Sequence, residues 1–239
     1  MPIWDAQQLD FDVDAVLRGQ GAEPGAIRKR SPRLVELAQR ALEEATPLLE
    51  PRTLYLELGV EQLRHERLTL DDGGKLSGKL IAEHLAPARQ VILILCTVGD
   101  ALEAQANRVS QDDLVYGLAL DGVGSAAVEA LANAACRYFE DRALELGLQS
   151  SIPLSPGMVG WPVDTGQPEI FEILKPAQVG VRLTEYGLMM PRKSLSMVLG
   201  LGEVMKTGGR TCDYCAMRET CRYQDHYDPE ADQIISKSL

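Results

Sequence analysis

Two kinds of apolar periodicity run along the chain, one helical and one extended. Helical spacing over residues 31–49 predicts a helix that begins at the Ser31-Pro32 pair, because serine caps helices and proline is favoured in their first turn. Residues 77–85 and 101–109 predict two shorter helices. The region 114–146 is also helical; its small residues predict close packing against a neighbour, and its glycines favour a break into two pieces.

The extended pattern predicts a sheet. Alternating apolar residues over 53–60 and an apolar run over 66–70 predict strands, and the uninterrupted apolar run 90–98 predicts a central strand that is buried on both faces. The Gly-rich residues 19–30 are expected to form an exposed loop. Helices and strands alternate irregularly, which predicts an α+β fold rather than a regular βαβ array.

Residues 155–201 have the most distinctive pattern. A Gly/Pro-rich loop over 155–162 is followed by a short helical segment, about 167–174, and then by two apolar extended runs on either side of a turn at 191–193. Loops of this composition bring backbone close to a ligand or partner. We therefore expect this stretch to form a surface that recognises something flat or extended.

Composition limits the class of partner. The 239 residues are 45% hydrophobic, as in an ordinary globular protein, and 35 acidic against 24 basic residues give a net charge of -11. Nucleic acids and anionic membranes require a clustered positive surface, so neither is an expected partner. The sequence has no apolar run of about 20 residues and no signal-peptide pattern, so we expect a cytoplasmic protein.

A cysteine cluster near the C-terminus is the second chemical signal. Cys212, Cys215 and Cys221 lie within ten residues, with the spacing C-x2-C-x5-C. Thiolates at this spacing converge on one ion or cluster, because C-x2-C places two sulfurs on the same side of a tight turn. The cluster predicts a metal site, and a redox dithiol is the alternative.

Such a site needs a fourth ligand, and the spacing does not identify the metal. Cys136 and Cys96 are candidates by residue type, and His226 is close in sequence. Each of these cysteines alone is typical of a buried core residue. An iron–sulfur cluster is the expected cofactor, and zinc, which would order the C-terminus, is the alternative.

The sequence SPGMVGWP and the following VGVRLTEYGLMMPRKSLSMVLGLG resemble the activation domain of cobalamin-dependent methionine synthase, and more closely the stand-alone members of that superfamily. The upstream stretches DVDAVLRGQG, ILCTVGDALE and LALDGVGSAAVEALAN resemble it more weakly, so the resemblance covers most of the chain.

The resemblance implies an α+β fold with a twisted, mostly antiparallel sheet. It also implies a domain that closes over cobalamin presented by a neighbouring corrinoid-binding domain and holds S-adenosylmethionine there. Oxidised Co(II) then receives an electron from a flavodoxin-type donor and is methylated. Stand-alone members resemble separate-chain versions that serve shortened methionine synthases or other corrinoid methyltransferases.

The loop departs from the family pattern at two positions. The family loop resembles R-P-A-P-G-Y, with an arginine that contacts S-adenosylmethionine and a tyrosine near the cobalt. When Pro156-Gly157 is aligned on the shared Pro-Gly, Pro153 takes the place of the arginine and Met158 that of the tyrosine. Proline cannot hold a carboxylate as a guanidinium does, which argues against S-adenosylmethionine binding but not against corrinoid recognition.

Four further side chains each have a functional and a structural interpretation. Trp161 is expected either to lie on a flat macrocycle or a partner surface, or to anchor the loop in the core. Glu185, placed within an apolar strand, binds a cationic ligand group or pairs with Arg182 or Arg192. Arg192 and Lys193 dock a partner or are solvated turn residues. The full set of candidate corrinoid-facing residues is Ser155, Pro156, Gly157, Met158, Gly160, Trp161, Glu185, Arg192 and Lys193.

The sequence therefore predicts an activation-domain-like unit over residues 1–205 and a cysteine-rich segment over 206–239. The expected function is reductive reactivation of a corrinoid methyltransferase, such as a methionine synthase that lacks its own activation domain. The electron would come from a flavodoxin- or ferredoxin-type donor, through an iron–sulfur cluster. The alternative is a non-catalytic cap or S-adenosylmethionine-binding partner with a structural zinc site.

Overall fold

The computed structural model describes residues 3–4, 9–206, 210–219 and 221, which form an α+β fold. The helices are α1 (Val13–Gly19), α2 (Pro24–Arg30), α3 (Pro32–Ala45), α4 (Lys79–Leu85), α5 (Ala101–Val109), α6 (Leu114–Glu145) and α7 (Val163–Leu174). The strands are β1 (Ile3–Trp4), β2 (Arg52–Arg64), β3 (Arg67–Leu70), β4 (Lys75–Ser77), β5 (Gln90–Thr97), β6 (Gln149–Ser150), β7 (Arg182–Leu183), β8 (Met189–Met190) and β9 (Ser194–Gly202).

The main sheet has the strand order β4-β3-β2-β5-β9-β6, and β1 pairs with β2. All of the strand pairs within the described residues are antiparallel. Strand β5 is central, as its apolar run predicts, because β2 and β9 both pair along its full length. A register shift between Val60 and Gln62 divides β2, which continues beyond β5 into the β2–β3–β4 end of the sheet.

Two apolar layers cover the two faces of this sheet. Alternation along β5 sends Ile92, Ile94 and Cys96 toward α6, whereas Leu93 and Leu95 face a core that is closed by α4, α7 and the 155–162 loop. Helices α1, α3 and α5 pack on α6 from outside and form a third cluster. The two faces of the sheet therefore have separate cores, which decides which side chains can meet.

Helix α6 is continuous from Leu114 to Glu145, so the expected break at its glycines is wrong. These glycines are sites of close approach: a Cβ at Gly122 would lie 2.8 Å from the carbonyl oxygen of Val16, and one at Gly124 would lie 3.0 Å from the Lys193 side chain. Packing against these neighbours offsets the low helix propensity of glycine.

The exposed loop expected over residues 19–30 is also wrong, since α2 occupies its second half. The Glu23 carboxylate accepts hydrogen bonds from the N–H groups of Gly25 and Ala26, and Pro24 stands at the first helical position. The helix predicted from Ser31-Pro32 does begin there, although the Ser31 side chain makes no capping bond.

Helix α6 is long and apolar enough to cross a membrane by length and composition alone, but 61% of its most apolar window is buried within the fold. Its buried residues pack against β5, β9, α1, α3 and α5. This burial places the helix in the core of the fold.

Candidate functional site

Backbone hydrogen bonds shape the loop over residues 155–162. The N–H of Gly157 donates to the carbonyl of Trp161 at 2.8 Å, and the N–H of Trp161 donates to the carbonyl of Met158 at 2.9 Å. Gly157 has a φ of 101°, which only glycine adopts readily. The closed loop leaves Gly157 and Val159 exposed at its tip.

Trp161 lies beneath this loop and has no exposed surface. Two glycines make room for its indole: a Cβ at Gly166 would lie 2.5 Å from Nε1, and one at Gly78 would lie 3.1 Å from Cδ1. Of the two interpretations of Trp161, the structure places the side chain as the core anchor of the loop. It is therefore not a surface for a macrocycle.

The other loop candidates are divided between core and surface. Met158 is buried with 8% exposure, and Pro153 is also buried. Ser155 and Pro156 are half-buried, and the Ser155 N–H lies 3.4 Å from the Met158 sulfur. The two positions that depart from the family loop thus face the interior.

The expected position of Glu185 inside an apolar strand is wrong. Glu185 lies in the turn that joins β7 to β8. The turn is closed by the Leu188 N–H, which donates to Thr184 Oγ1 at 3.1 Å. Glu185 is exposed and, within the described residues, has no ion-pair partner; Arg192 pairs with Glu103 instead.

The β7–β8 turn lies beside the loop, since the side chain of Val163, at the start of α7, is close to both. A Cβ at Gly157 would lie 3.1 Å from Val163 Cγ2, and one at Gly187 would lie 3.9 Å from Val163 Cγ1. The described chain thus brings Glu185 to the same side of the molecule as the loop tip.

Exposed apolar side chains surround this junction, and we call them the loop patch. They are Val159 (63% exposed), Val163 (40%), Tyr186 (80%) and Leu188 (60%). Single exposed apolar residues are common, but several around one loop mark an interaction surface. None of them is among the candidates predicted from the sequence, because their grouping depends on where the β7–β8 turn lies relative to the loop.

The cysteine segment packs against the same loop. The Val159 N–H donates to the carbonyl of Tyr214 at 2.8 Å, and Met158 and Cys215 form an isolated antiparallel bridge. The two strongest chemical signals in the sequence, the loop and the C-x2-C turn, therefore lie in direct contact.

Tyr214 fixes the segment to the core through a buried histidine. Its ring meets the ring of His84 edge-on, with the centroids 4.7 Å apart, and Lys206 Nζ lies 5.8 Å from the Tyr214 centroid. His84 is fully buried, and both ring nitrogens lack a hydrogen-bond partner within the described residues. Burial, followed by the charge of Lys206, lowers the pKa of His84 below its ordinary 6.5.

The described residues do not bring the cysteines together as a metal site. Within residues 3–4, 9–206, 210–219 and 221, no three His, Cys, Asp or Glu side chains are grouped so as to hold a metal ion. Cys215 contacts the loop, whereas Cys221 lines a different cavity beside α6 and the start of β9. His226 lies outside the described residues.

Neither candidate for the fourth ligand lies near Cys215. Cys96 and Cys136 belong to the core between the sheet and α6, whereas Met158 belongs to the core on the opposite face. Cys136 contacts the sulfur of Met197 at 3.2 Å. Burial raises the pKa of Cys96 to about 12 and that of Cys136 well above its ordinary value, so both remain neutral thiols.

Arg192 and Lys193 are engaged in the scaffold. Arg192 forms an ion pair with Glu103 of α5, and Lys193 Nζ lies 2.9 Å from Asp121 Oδ2 and 2.8 Å from Ser125 Oγ, both on α6. The Lys193 side chain is mostly buried, with 15% exposure, and the Lys193 carbonyl accepts the Val98 N–H. These contacts connect the turn before β9 to the helical layer.

No protein-family model and no curated protein matches the chain. Among solved structures, a crystal structure of the MetH reactivation domain bound to AdoHcy superposes with a TM-score of 0.60 and 17% sequence identity, over 77% of this chain and 69% of that one. The chain has the fold of the MetH reactivation domain. The resemblance first seen in the loop and the β7–β9 region is thus confirmed at the level of the fold, as is the predicted antiparallel α+β architecture.

Proposed function

We propose that this protein covers the exposed face of a corrinoid held by a partner methyltransferase of the methionine synthase type, and takes part in returning that cofactor to its active state. The fold shared with the MetH reactivation domain supports the proposal. The stand-alone arrangement and the identity of the partner are part of the proposal.

The observation that carries the proposal is the loop patch. Its side chains are apolar and exposed, and they surround a loop tip at which Gly157 presents backbone without a side chain. An apolar surface placed over a macrocycle excludes water, and a glycine permits close approach. The cap would therefore be made of Val159, Tyr186 and Leu188 rather than of the buried Trp161.

An S-adenosyl ligand is the finer part of this proposal. The structural neighbour was solved with AdoHcy bound. Glu185 supplies an exposed carboxylate beside the loop patch, suited to an amino or sulfonium group. Calorimetric titration of the protein with AdoHcy, repeated with Glu185→Gln, tests this part: binding that Glu185→Gln weakens supports it, and an absence of binding removes it.

The electron-delivery prediction, with its iron–sulfur cluster, gains no support from the described residues, which do not bring together a ligand set for a cluster or for zinc. Iron, acid-labile sulfide and zinc measured per chain after anaerobic purification decide the matter. Iron with sulfide would establish a cluster, zinc alone a structural site, and neither would leave the cysteine segment as a support for the loop.

Reactivation itself tests the function. A methionine synthase fragment that binds cobalamin but lacks a reactivation domain is brought to its inactive Co(II) form. Its visible spectrum is then followed with methyl donor and reductant, with and without this protein. Faster return of the methylated spectrum supports reactivation. Binding without a change in rate supports the non-catalytic cap. If the protein neither binds the fragment nor changes the rate, the proposal is contradicted.

A further inference from the structure

A second surface of the chain carries a charge opposite to that of the whole molecule. A cavity of about 1100 Å³ lies between the β2–β3–β4 end of the sheet, the start of α4 and the loop residues Gly160 and Pro162. Four cationic residues line it, together with one acidic residue, Glu66; the cationic residues are Arg64, Arg67, Lys75 and Lys79. Such a concentration is unexpected in a chain whose net charge is -11.

Strand alternation explains why the charges share a face. Leu63, Leu68 and Leu76 pack into the core beneath the sheet. Their neighbours along the three strands, Arg64, Arg67 and Lys75, therefore point to the opposite face. The register pairs Arg64 with Arg67 and Arg67 with Ser77, and it pairs Thr69 with Lys75 in the next row. The result is a polar grid with three cations on the cavity wall.

The Arg64–Arg67 pair is an unfavourable arrangement in the chain alone. Like charges directly opposite each other on neighbouring strands are destabilising. Within the described residues, neither arginine nor Lys75 forms an ion pair, whereas Lys79 pairs with Glu83 at 3.6 Å. The Glu169 carboxylate is nearby but accepts the Ser77 N–H at 2.8 Å.

A second feature of the cavity also favours an anion. The first turn of the twelve-residue helix α7 opens into it through Pro162 and Thr165, and no side chain caps this helix. The N–H groups at a helix start carry partial positive charge and have no partner within the helix. The cationic side chains and the start of α7 therefore face the same cavity, and Asp164 in the first turn of α7 offsets part of the positive charge of the helix start.

We propose that this cavity binds a phosphate-bearing small molecule, with Arg64 and Arg67 as its principal contacts. Arginine forks bind phosphate oxygens in pairs, and the bound anion removes the repulsion between the two side chains. The cavity volume of about 1100 Å³ lies just above the range of typical small-ligand sites, roughly 300–1,000 Å³, so the cavity has room for such a molecule. Because Gly160 and Pro162 line the cavity, the ligand would lie beside the loop patch.

Calorimetric titration with inorganic pyrophosphate at low salt, without any corrinoid partner, tests the inference separately from the proposed function. The wild-type protein is expected to bind, and the Arg64→Gln/Arg67→Gln variant is expected to bind at least about tenfold more weakly, since each charge-assisted bond lost contributes at that scale. The matched control is Arg89→Gln, an exposed arginine paired with Glu203 outside the cavity.

Stability provides a second measurement. Without pyrophosphate, Arg67→Gln should raise the unfolding midpoint, because it removes the cross-strand repulsion. With pyrophosphate, the wild-type midpoint should rise and that of the double variant should not. Wild-type binding that the double variant retains would overturn the inference. The inference would also be overturned if the wild-type protein bound poly-glutamate but did not bind pyrophosphate, which would indicate an acidic protein partner instead.

Discussion

Trp161 fills the space beneath the loop so closely that a side chain added at Gly166 would collide with its indole. We predict that Gly166→Ala destabilises the protein by about 1–3 kcal/mol, the typical cost of overpacking a core. The added Cβ would lie 2.5 Å from the indole nitrogen. Urea unfolding measures the difference, and Thr165→Ala, at an exposed neighbour in the same helix, is the control. A Gly166→Ala variant as stable as the control would show that the indole has room to move.

His84 makes stability depend on pH in a defined direction. The folded protein holds the ring neutral, because burial lowers its pKa, whereas the unfolded chain protonates near the ordinary value of 6.5. The contribution of His84 to the free energy of unfolding is therefore complete above about pH 6.5. It is lost as the pH falls below that value, by about 1.4 kcal/mol for each unit of pKa shift.

We predict that His84→Leu reduces the loss of stability between about pH 7.5 and about pH 5.5, because leucine does not titrate. Urea unfolding at both pH values measures this loss for the wild type and the variant. The comparison isolates the contribution of His84, because the substitution replaces no other titratable group. An equal loss in the two proteins would mean that His84 titrates in the folded state as it does in the unfolded chain.

At the scale of elements, the cysteine segment is held to the loop by one side chain in particular. Tyr214 packs against His84 and the core, and its carbonyl accepts the Val159 N–H. We predict that Tyr214→Ser speeds hydrogen exchange of the Val159 amide at least about tenfold, because the segment then opens locally at lower cost. Met217→Ser, at an exposed position in the same segment, should leave the exchange unchanged. Fast Val159 exchange in the wild type would contradict the contact.

Local periodicity explains which elements could be predicted from sequence. The apolar run of β5, the start of α3 and the bounds of α5 follow from short-range patterns, and all three were predicted. Helix α2 was missed because its glycines resemble a loop, while the Glu23 carboxylate supplies the cap that makes a helix favourable.

The site was harder to predict because it depends on contacts between distant segments. The loop was recognised from its composition, but the burial of Trp161 depends on Gly78 and Gly166, and the position of Cys96 depends on which face of β5 it occupies. Tyr186 and Leu188 appear as ordinary strand residues until the β7–β8 turn is placed beside Val163. No short-range pattern contains that information.

At the scale of the molecule, the loop that we propose as the partner-facing surface lies on the side of the sheet opposite α6. Helices α1, α3, α5 and α6 form the support, and the ion pairs of Arg192 and Lys193 connect that support to the strand after the β7–β8 hairpin. The opposite side carries the loop patch with Tyr214 and Cys215, and the cationic cavity lies at the β2–β3–β4 end of the sheet, next to the loop residues Gly160 and Pro162. A partner that approaches this side would meet an apolar centre with a basic flank.

The central claim is that the loop patch covers a protein-bound corrinoid. The most direct test measures the affinity of this protein for a cobalamin-loaded methionine synthase fragment that lacks its own reactivation domain. Tyr186→Ser/Leu188→Ser is compared with Leu114→Ser, an equally exposed apolar position at the start of α6. Burying one such side chain contributes about 1.5–3 kcal/mol, so we predict that the double variant binds at least about tenfold more weakly while Leu114→Ser binds like the wild type. Equal affinity for all three proteins would contradict the claim.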